Sequence, residues 1–185
     1  MSKRRNLMAA LALSVVLAAC GSGTGSPAPS TSPPGSPSPT PVACSTGGPA
    51  SSSWIAPDKR TSTTPPIVSV SVSGDTLTLT FDGGTPAFEL TRQPSAHFPL
   101  TGGQGGRADL AGSAGVLIIL RGFRGDVHNY TGQKDFKPQG PVLLEVEELG
   151  DFEGVVGWGA GLSAPGCAAA AMSASALTFT FIRAS

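Results

Sequence analysis

The sequence predicts an all-β protein, a small single-domain β sandwich that follows a disordered tether. Three observations lead to this prediction. Apolar and polar residues alternate with period two along the chain, turns rich in Gly and Pro separate the alternating runs, and helical periodicity is nearly absent. Because the composition becomes foldable only after the tether, we expect the β domain to occupy residues 44–185, with its core at about 66–182.

The chain begins with the features of an export signal. Lys3, Arg4 and Arg5 form a basic n-region, and an apolar run extends from Leu7 to Ala19. Such a run is shorter than the ~20 residues of a membrane-spanning helix. Small residues precede its end, as they do before the cleavage point of secretory signals. We therefore expect residues 1–19 to be a signal peptide.

The end of this signal reads Leu17-Ala18-Ala19-Cys20, which resembles the bacterial lipobox. The resemblance implies that the Cys20 thiol is diacylglycerated and that cleavage leaves Cys20 as the lipidated N-terminus. Acyl chains contribute about 0.8 kcal/mol per buried CH2, so two or more of them hold a soluble domain on a membrane. The expected location is the extracytoplasmic side of the cell membrane. The alternative is an ordinary signal peptide with a chance cysteine.

The charge balance of the mature chain argues against a nucleic-acid partner. The whole sequence has 12 basic and 12 acidic residues, and loss of Lys3, Arg4 and Arg5 leaves 9 against 12, a net charge of −3. Nucleic-acid binding requires a basic stripe, which a mildly acidic domain does not offer.

Residues 20–43 are expected to be the lipid anchor and a Pro/Ser/Gly/Thr-rich linker. From Gly21 to Pro41, 20 of 21 residues are Gly, Ser, Thr or Pro, and the other is Ala28. A segment with almost no apolar surface cannot offset its ordering entropy and stays disordered. Its seven prolines favour an extended chain, which at about 3.1 Å per residue would reach roughly 65 Å.

The first strands form a predicted hairpin. Ile67–Val72 and Thr76–Phe81 both alternate with period two, and Gly74-Asp75 lies between them as a tight turn.

Further strands are predicted after this hairpin. Ala87–Thr91 is a short strand, and Val116–Leu120 is a continuous apolar run typical of a strand buried on both faces. Arg92–Gly115 is expected to be a long connection, and Arg121–Lys137 an exposed loop or long hairpin end. Leu177–Phe181 is the last strand.

The stretch from Val142 to Leu162 is the most distinctive part of the chain. Val142–Leu149 is predicted to be a strand, Gly150–Gly154 a sharp turn, and Val155–Leu162 a second extended run with Trp158 between glycines. After it, Ala168–Ala171 could begin a helical turn.

The sequence has three cysteines, of which Cys20 is assigned to the lipid. Cys44 and Cys167 remain as an even pair in an exported, oxidising compartment, which favours a disulfide. Two free thiols and a metal-ligand pair are the alternatives. Only His97 and His128 could assist a metal, so no metal site is expected.

No catalytic arrangement is convincing, and we expect neither an enzyme nor a cofactor. Ala111-Gly-Ser113-Ala-Gly115 has the spacing of a nucleophile elbow, but the predicted strand follows the serine instead of preceding it. Asp126 and His128 are not brought to Ser113 by any sequence feature.

Acidic residues between positions 145 and 153 are numerous enough to supply paired carboxylates. However, Glu145 and Glu147 alternate with Leu144 and Val146, which is typical of a solvated strand face.

A small basic-aromatic patch gives the weak binding candidates. They are Arg121, Arg124, Tyr130 and Lys134, close in sequence to Lys137. Aromatic rings flanked by polar groups bind sugars, and cations bind the carboxylates of wall glycopeptides. The alternative is a hydrated loop with one buried ring.

Three segments together resemble the AMIN-like domain of bacterial lipoproteins and secreted proteins. They are Phe81-Asp-Gly-Gly-Thr-Pro-Ala-Phe88, Tyr130-Thr-Gly132, and Glu145–Leu162 with its Gly-Asp-Phe-Glu-Gly and Trp-x-x-Gly-Leu core. The residues that carry this fold signature are Gly150, Asp151, Phe152, Gly154, Trp158 and Gly161. The resemblance implies a small β sandwich. Related AMIN domains are implicated in binding peptidoglycan or localising proteins in the envelope.

The expected function is therefore that of a membrane-anchored lipoprotein whose domain binds a cell-envelope component, with peptidoglycan or another wall polymer as the first candidate. The alternative is a protein-interaction or scaffolding module that recruits an envelope enzyme or transport component.

Overall fold

The computed structural model describes the backbone of residues 51–54 and all atoms of residues 66–102, 105–123 and 130–185. These ranges contain twelve strands and no helix, so the predicted all-β class is confirmed. The strands are β1 (Ser51–Trp54), β2 (Ile67–Ser73), β3 (Thr76–Phe81), β4 (Ala87–Gln93), β5 (His97–Pro99), β6 (Arg107–Asp109), β7 (Ala114–Arg121), β8 (Asp135–Phe136), β9 (Leu143–Phe152), β10 (Val155–Leu162), β11 (Gly166–Met172) and β12 (Ala176–Arg183).

The predicted signal peptide, the lipid anchor at Cys20 and the linker lie outside the described residues. Within the described ranges, no helix has the length and apolar character needed to cross a bilayer.

Two antiparallel sheets pack face to face. The larger has the order β1-β4-β7-β10-β9-β8, and the smaller has the order β11-β12-β3-β2. Between them lies a core of 20 buried residues drawn from both sheets, which is the arrangement of a β sandwich. We call the core-facing side of the six-stranded sheet its inner face and the opposite side its outer face.

The predicted first hairpin is present as β2 and β3. Ser73 pairs with Thr76 across the two-residue turn, and Gly74 has a φ of 53°, which fits a type II′ turn with glycine in first position. The carboxylate of Asp75 accepts hydrogen bonds from the backbone N–H groups of Val142 and Leu143 at 2.9 and 2.8 Å. This turn therefore joins the smaller sheet to the beginning of β9.

The turn predicted over Gly150–Gly154 is shorter than expected. β9 continues to Phe152, and only Glu153 and Gly154 form the loop, with φ values of 48° and 77°. Two successive residues with positive φ make a type I′ turn, whose twist matches that of the flanking strands. Glu153 occupies this conformation because the strand pairing on both sides holds it there.

The helical turn suggested for Ala168–Ala171 was wrong, since these residues lie in β11. Alanine favours helices in isolation, but packing overrides such a preference. Ala168 and Ala170 pair with Phe181 and Phe179 of β12 and contribute to the main core.

Two stretches predicted to lack structure contain strands. Arg92–Gly115 holds β5, β6 and the beginning of β7, and β5 and β6 form a separate two-stranded sheet. Within Arg121–Lys137, β8 pairs with β9 through Asp135–Glu147 and Phe136–Val146.

Candidate functional site

A row of side chains crosses the outer face of the six-stranded sheet at one end. Successive cross-strand partners make up this outer row, which consists of Ala87, Arg121, Val155 and Phe152. Directly opposed residues share one face of a sheet. Leu120 and Val156, the next residues along β7 and β10, belong to the main core, so the outer row faces away from it.

Phe152 and Arg121, two members of the outer row, differ in chemistry. Phe152 is a large ring that is 45% exposed. Two strand spacings away, about 10 Å, the side chain of Arg121 is 55% exposed and its guanidinium lies 3.6 Å from the carboxylate of Glu89. Half-buried Val155 lies between them. An apolar ring and a charged pair thus share one accessible surface.

The two-stranded sheet borders this surface. We call residues 96–102 and 105–111, which include β5 and β6, the flap. Its side chains form a second core with one residue of β9, and the members are Ala96, Phe98, Ala108, Leu110 and Leu149. The outer row meets the flap at Gly102, where a Cβ atom would lie 3.4 Å from that of Phe152. Leu100, nearby on the flap, is 42% exposed.

The flap rests on backbone that carries no side chains. The positions beneath it, the glycine floor, are Gly115, Gly157, Gly159 and Gly161. A Cβ at Gly159 would lie 3.0 Å from the Phe98 ring and 3.3 Å from Leu110. Glycine is required here because the hairpin packs directly against the strands.

A β-bulge in β9 connects the flap to the sheet. Gly157 pairs with Gly150 and Trp158 with Glu148, which leaves Leu149 as an extra residue. The side chain of Leu149 joins the second core, and its carbonyl accepts a hydrogen bond from the backbone N–H of Thr101 at 2.8 Å.

A carboxylate fixes the other end of the flap. Glu145 accepts a hydrogen bond from the backbone N–H of Ala111 at 2.6 Å and lies 3.2 Å from the ammonium of Lys137. At 8% exposure Glu145 is buried, so the prediction of a solvated face was wrong for this residue. The flap that covers it could not be anticipated from alternation within β9.

The structure separates Arg121 from Lys134 in the predicted basic-aromatic patch. Arg121 lies on the outer face, whereas Lys134 contacts Glu148 at 2.8 Å. Glu148 is the cross-strand partner of Trp158, and therefore lies on the inner face. Arg124 lies outside the described residues.

Tyr130 has structural contacts. Its ring packs against the main core, and its hydroxyl donates to the carbonyl of Gln133 at 3.0 Å. Burial raises the pKa of Tyr130, while a hydrogen bond from the backbone of Val70 opposes the shift. Val70 lies on β2, the strand at one edge of the smaller sheet. Tyr130 therefore covers part of that edge.

The fold-signature residues have distinct places. Trp158 is fully buried in the main core, and its indole N–H has no hydrogen-bond partner among the described residues. A Cβ at Gly154 would collide with the carbonyl of Phe123, and one at Gly161 with that of Ala111. Phe152, by contrast, lies at the surface. The sequence analysis assigned Phe152 only as a fold-signature residue, although its position between Asp151 and Glu153, beside a turn, is a signal of exposure.

The described part of the chain holds no group of three or more His, Cys, Asp or Glu side chains arranged to bind a metal. His97 and Asp109 approach to 2.6 Å, but they are an exposed cross-strand pair on the flap. Ser113 donates its hydroxyl to the carbonyl of Ser163 at 3.0 Å. Asp126 and His128 are outside the described residues.

No protein-family model, no curated protein and no solved structure matches this chain. The AMIN-like resemblance accordingly stays a prediction.

Proposed function

We propose that the mature protein is a lipid-anchored domain on the extracytoplasmic side of the cell membrane that binds a wall polymer, peptidoglycan being the first candidate, without catalysis. The observation that carries this proposal is the outer row, which presents Phe152 and Arg121 on one exposed face. The sequence features of residues 1–43 support the anchor and the location.

The chemistry of the outer row suits a glycan that bears carboxylates. The face of an aromatic ring packs against the apolar C–H face of a sugar. A guanidinium forms charge-assisted hydrogen bonds with a carboxylate. In this surface Glu89 holds Arg121 in place at 3.6 Å, and its own carboxylate is available to accept hydrogen bonds from sugar hydroxyls.

The direct experiment is co-sedimentation of the purified mature domain with insoluble peptidoglycan at low salt. We expect the domain to pellet above the level of a control protein of similar size and charge. Pelleting at the control level would reject wall binding.

A second candidate function, recruitment of an envelope protein, is favoured by β11. This strand ends the smaller sheet, and none of the described strands pairs with its other edge. Charged residues and proline usually protect the free edges of sheets. The sequence of β11, Gly-Cys-Ala-Ala-Ala-Ala-Met, contains neither. A partner could add a strand there. Crosslinking in intact cells that captures one dominant partner through β11 would favour this function.

We also propose that Cys44 and Cys167 form a disulfide. Cys167 is buried in β11, which packs over β4, and β4 pairs with β1. Cys44 precedes the first residue of β1 by seven positions, a length of chain that spans up to about 23 Å. Titration of the unreduced mature domain should find no free thiol, and two free thiols would reject the bridge.

A further inference from the structure

The flap differs from the rest of the molecule in how it is held. Its two strands belong to neither large sheet, and its core has five buried residues, compared with 20 in the main core. Local opening free energies are lowest where few buried apolar contacts hold a segment. On this ground the flap is the part of the described structure most able to separate from the sheet.

Separation breaks the hydrogen bonds of Thr101 to Leu149 and of Ala111 to Glu145, but the glycine floor limits what else must change. Phe98 and Leu110 rest on the backbone of Gly159 and do not interlock with side chains there. Opening therefore requires no rearrangement of neighbouring rotamers on β10. It would uncover a flat strip of backbone flanked by the apolar side chains of Leu117 and Leu149.

Both ends of the flap have defined hinges. Gln93 is still paired with Gly115, so the first leg is free to move only after residue 93. In the second leg, Gly112 has a φ of 130° and the backbone N–H of Ser113 bonds to Leu162 at 2.9 Å. A Cβ at Gly112 would collide with the backbone of Leu162, which fixes that hinge at a position only glycine occupies readily.

We propose that the flap opens from the six-stranded sheet as a unit, while the sandwich stays folded, and that this motion regulates the ligand surface at the outer row. The first part stands on the structure alone, and the second rests on the proposed function. The flap is suited to this role because a Cβ atom at Gly102 would lie 3.4 Å from that of Phe152, so the flap borders the ring and opening removes one wall of the surface. Opening also frees the apolar strip next to it for contact with a bound polymer.

Hydrogen exchange of the intact mature domain tests the opening. The backbone N–H groups of Thr101 and Ala111 donate from the flap to the carbonyl of Leu149 and the carboxylate of Glu145 on β9, so they lose these acceptors when the flap separates and report its opening. We expect them to exchange on the order of 100-fold faster than the central amides of β3 and β12. A Leu110→Ala variant should widen this ratio, whereas Leu77→Ala in the main core should narrow it. Equal exchange in the flap and in β3 would overturn the proposal.

An engineered crosslink tests regulation. A Cβ at Gly157 would lie 3.4 Å from the Cβ of Thr101, close to the roughly 3.5–4.5 Å that a disulfide requires. Oxidised Thr101→Cys/Gly157→Cys should slow exchange at the backbone N–H of Ala111. The fraction of the oxidised variant that pellets with peptidoglycan should also differ by at least about 3-fold from that of the reduced form. A modest population shift is enough to cause a difference of this size. The single variant Thr101→Cys, treated with the same reductant, controls for reduction elsewhere.

The outcomes separate the two proposals. If the oxidised double-cysteine variant exchanges slowly but pellets like the reduced form, the proposed regulation by the flap is overturned, while the proposed wall binding stands. If the unmodified domain does not pellet at all, the proposed function and the regulation of its site fail together, and the exchange ratio alone still decides whether the flap opens.

Discussion

The ring of Phe98 packs on the backbone of Gly159, where a Cβ atom would lie 3.0 Å away. This contact joins the flap to the centre of the larger sheet. Replacement of Gly159 by alanine should push Phe98 off the sheet and destabilise the protein by about 1–3 kcal/mol, the usual effect of overpacking. Denaturant unfolding measures the loss.

The matched control for this substitution is the double variant Gly159→Ala/Phe98→Leu. Leucine is smaller than phenylalanine, so it should recover part of the lost stability. An alanine at 159 that costs nothing would show that the flap does not rest on this position.

Trp158 is expected to act through stability. It is fully buried in the main core, so Trp158→Ala should lower the free energy of unfolding by about 3–5 kcal/mol. Thermal melting detects this loss, and pelleting by the fraction that remains folded should be unchanged. Unchanged melting together with lost binding would instead assign Trp158 to a ligand site.

Asp75 joins the first hairpin to β9 through two backbone hydrogen bonds. Asp75→Ala leaves the N–H groups of Val142 and Leu143 without their acceptor, which should cost about 1–3 kcal/mol in a denaturant titration. Asp75→Asn keeps an acceptor oxygen and should lose less. Equal losses for the two variants would mean that the carboxylate's charge, not its geometry, matters.

Glu147 should make stability depend on pH. Its pKa is raised above the ordinary 4.5, first by burial and then by Asp135 and Glu145. A raised carboxylate pKa means that the folded state favours the protonated form. The ionised carboxylate of Glu147 at neutral pH therefore lowers the free energy of unfolding. Glu147→Gln should therefore raise the melting temperature at pH 7.

The advantage of Glu147→Gln should shrink as pH falls through the raised pKa and vanish below the unfolded pKa, near about 4. Melting curves across this range check the sign. A glutamine variant that is less stable than the parent at pH 7 would contradict the assignment.

The sandwich was predictable from sequence where strands alternate and turns are short. The β2–β3 hairpin has both features, and its Gly74-Asp75 turn was recognised. The flap was missed because β5 and β6 have three residues each, too few for a periodic signal. What orders them is the glycine floor on β7 and β10, which a local pattern cannot reveal.

The candidate site was predicted only in part. Arg121 was named as a binding candidate, but its neighbour Phe152 was read as a fold signature. The two-residue turn places Phe152 opposite Val155 and so level with Arg121, and the bulge at Leu149 puts Phe152 on the same face as Glu147. Since a bulge depends on long-range pairing, alternation within β9 could not place the two residues in one row.

Pelleting of single folded variants with peptidoglycan tests most directly whether the outer row binds wall polymer. Phe152→Ala and Arg121→Ala should each reduce the bound fraction by about 5-fold or more, as loss of about 1 kcal/mol implies. Met172→Ala and Arg183→Ala change an exposed apolar and an exposed basic residue of the other sheet, and these variants should bind like the parent. Equal binding by all four variants and the parent would contradict the account.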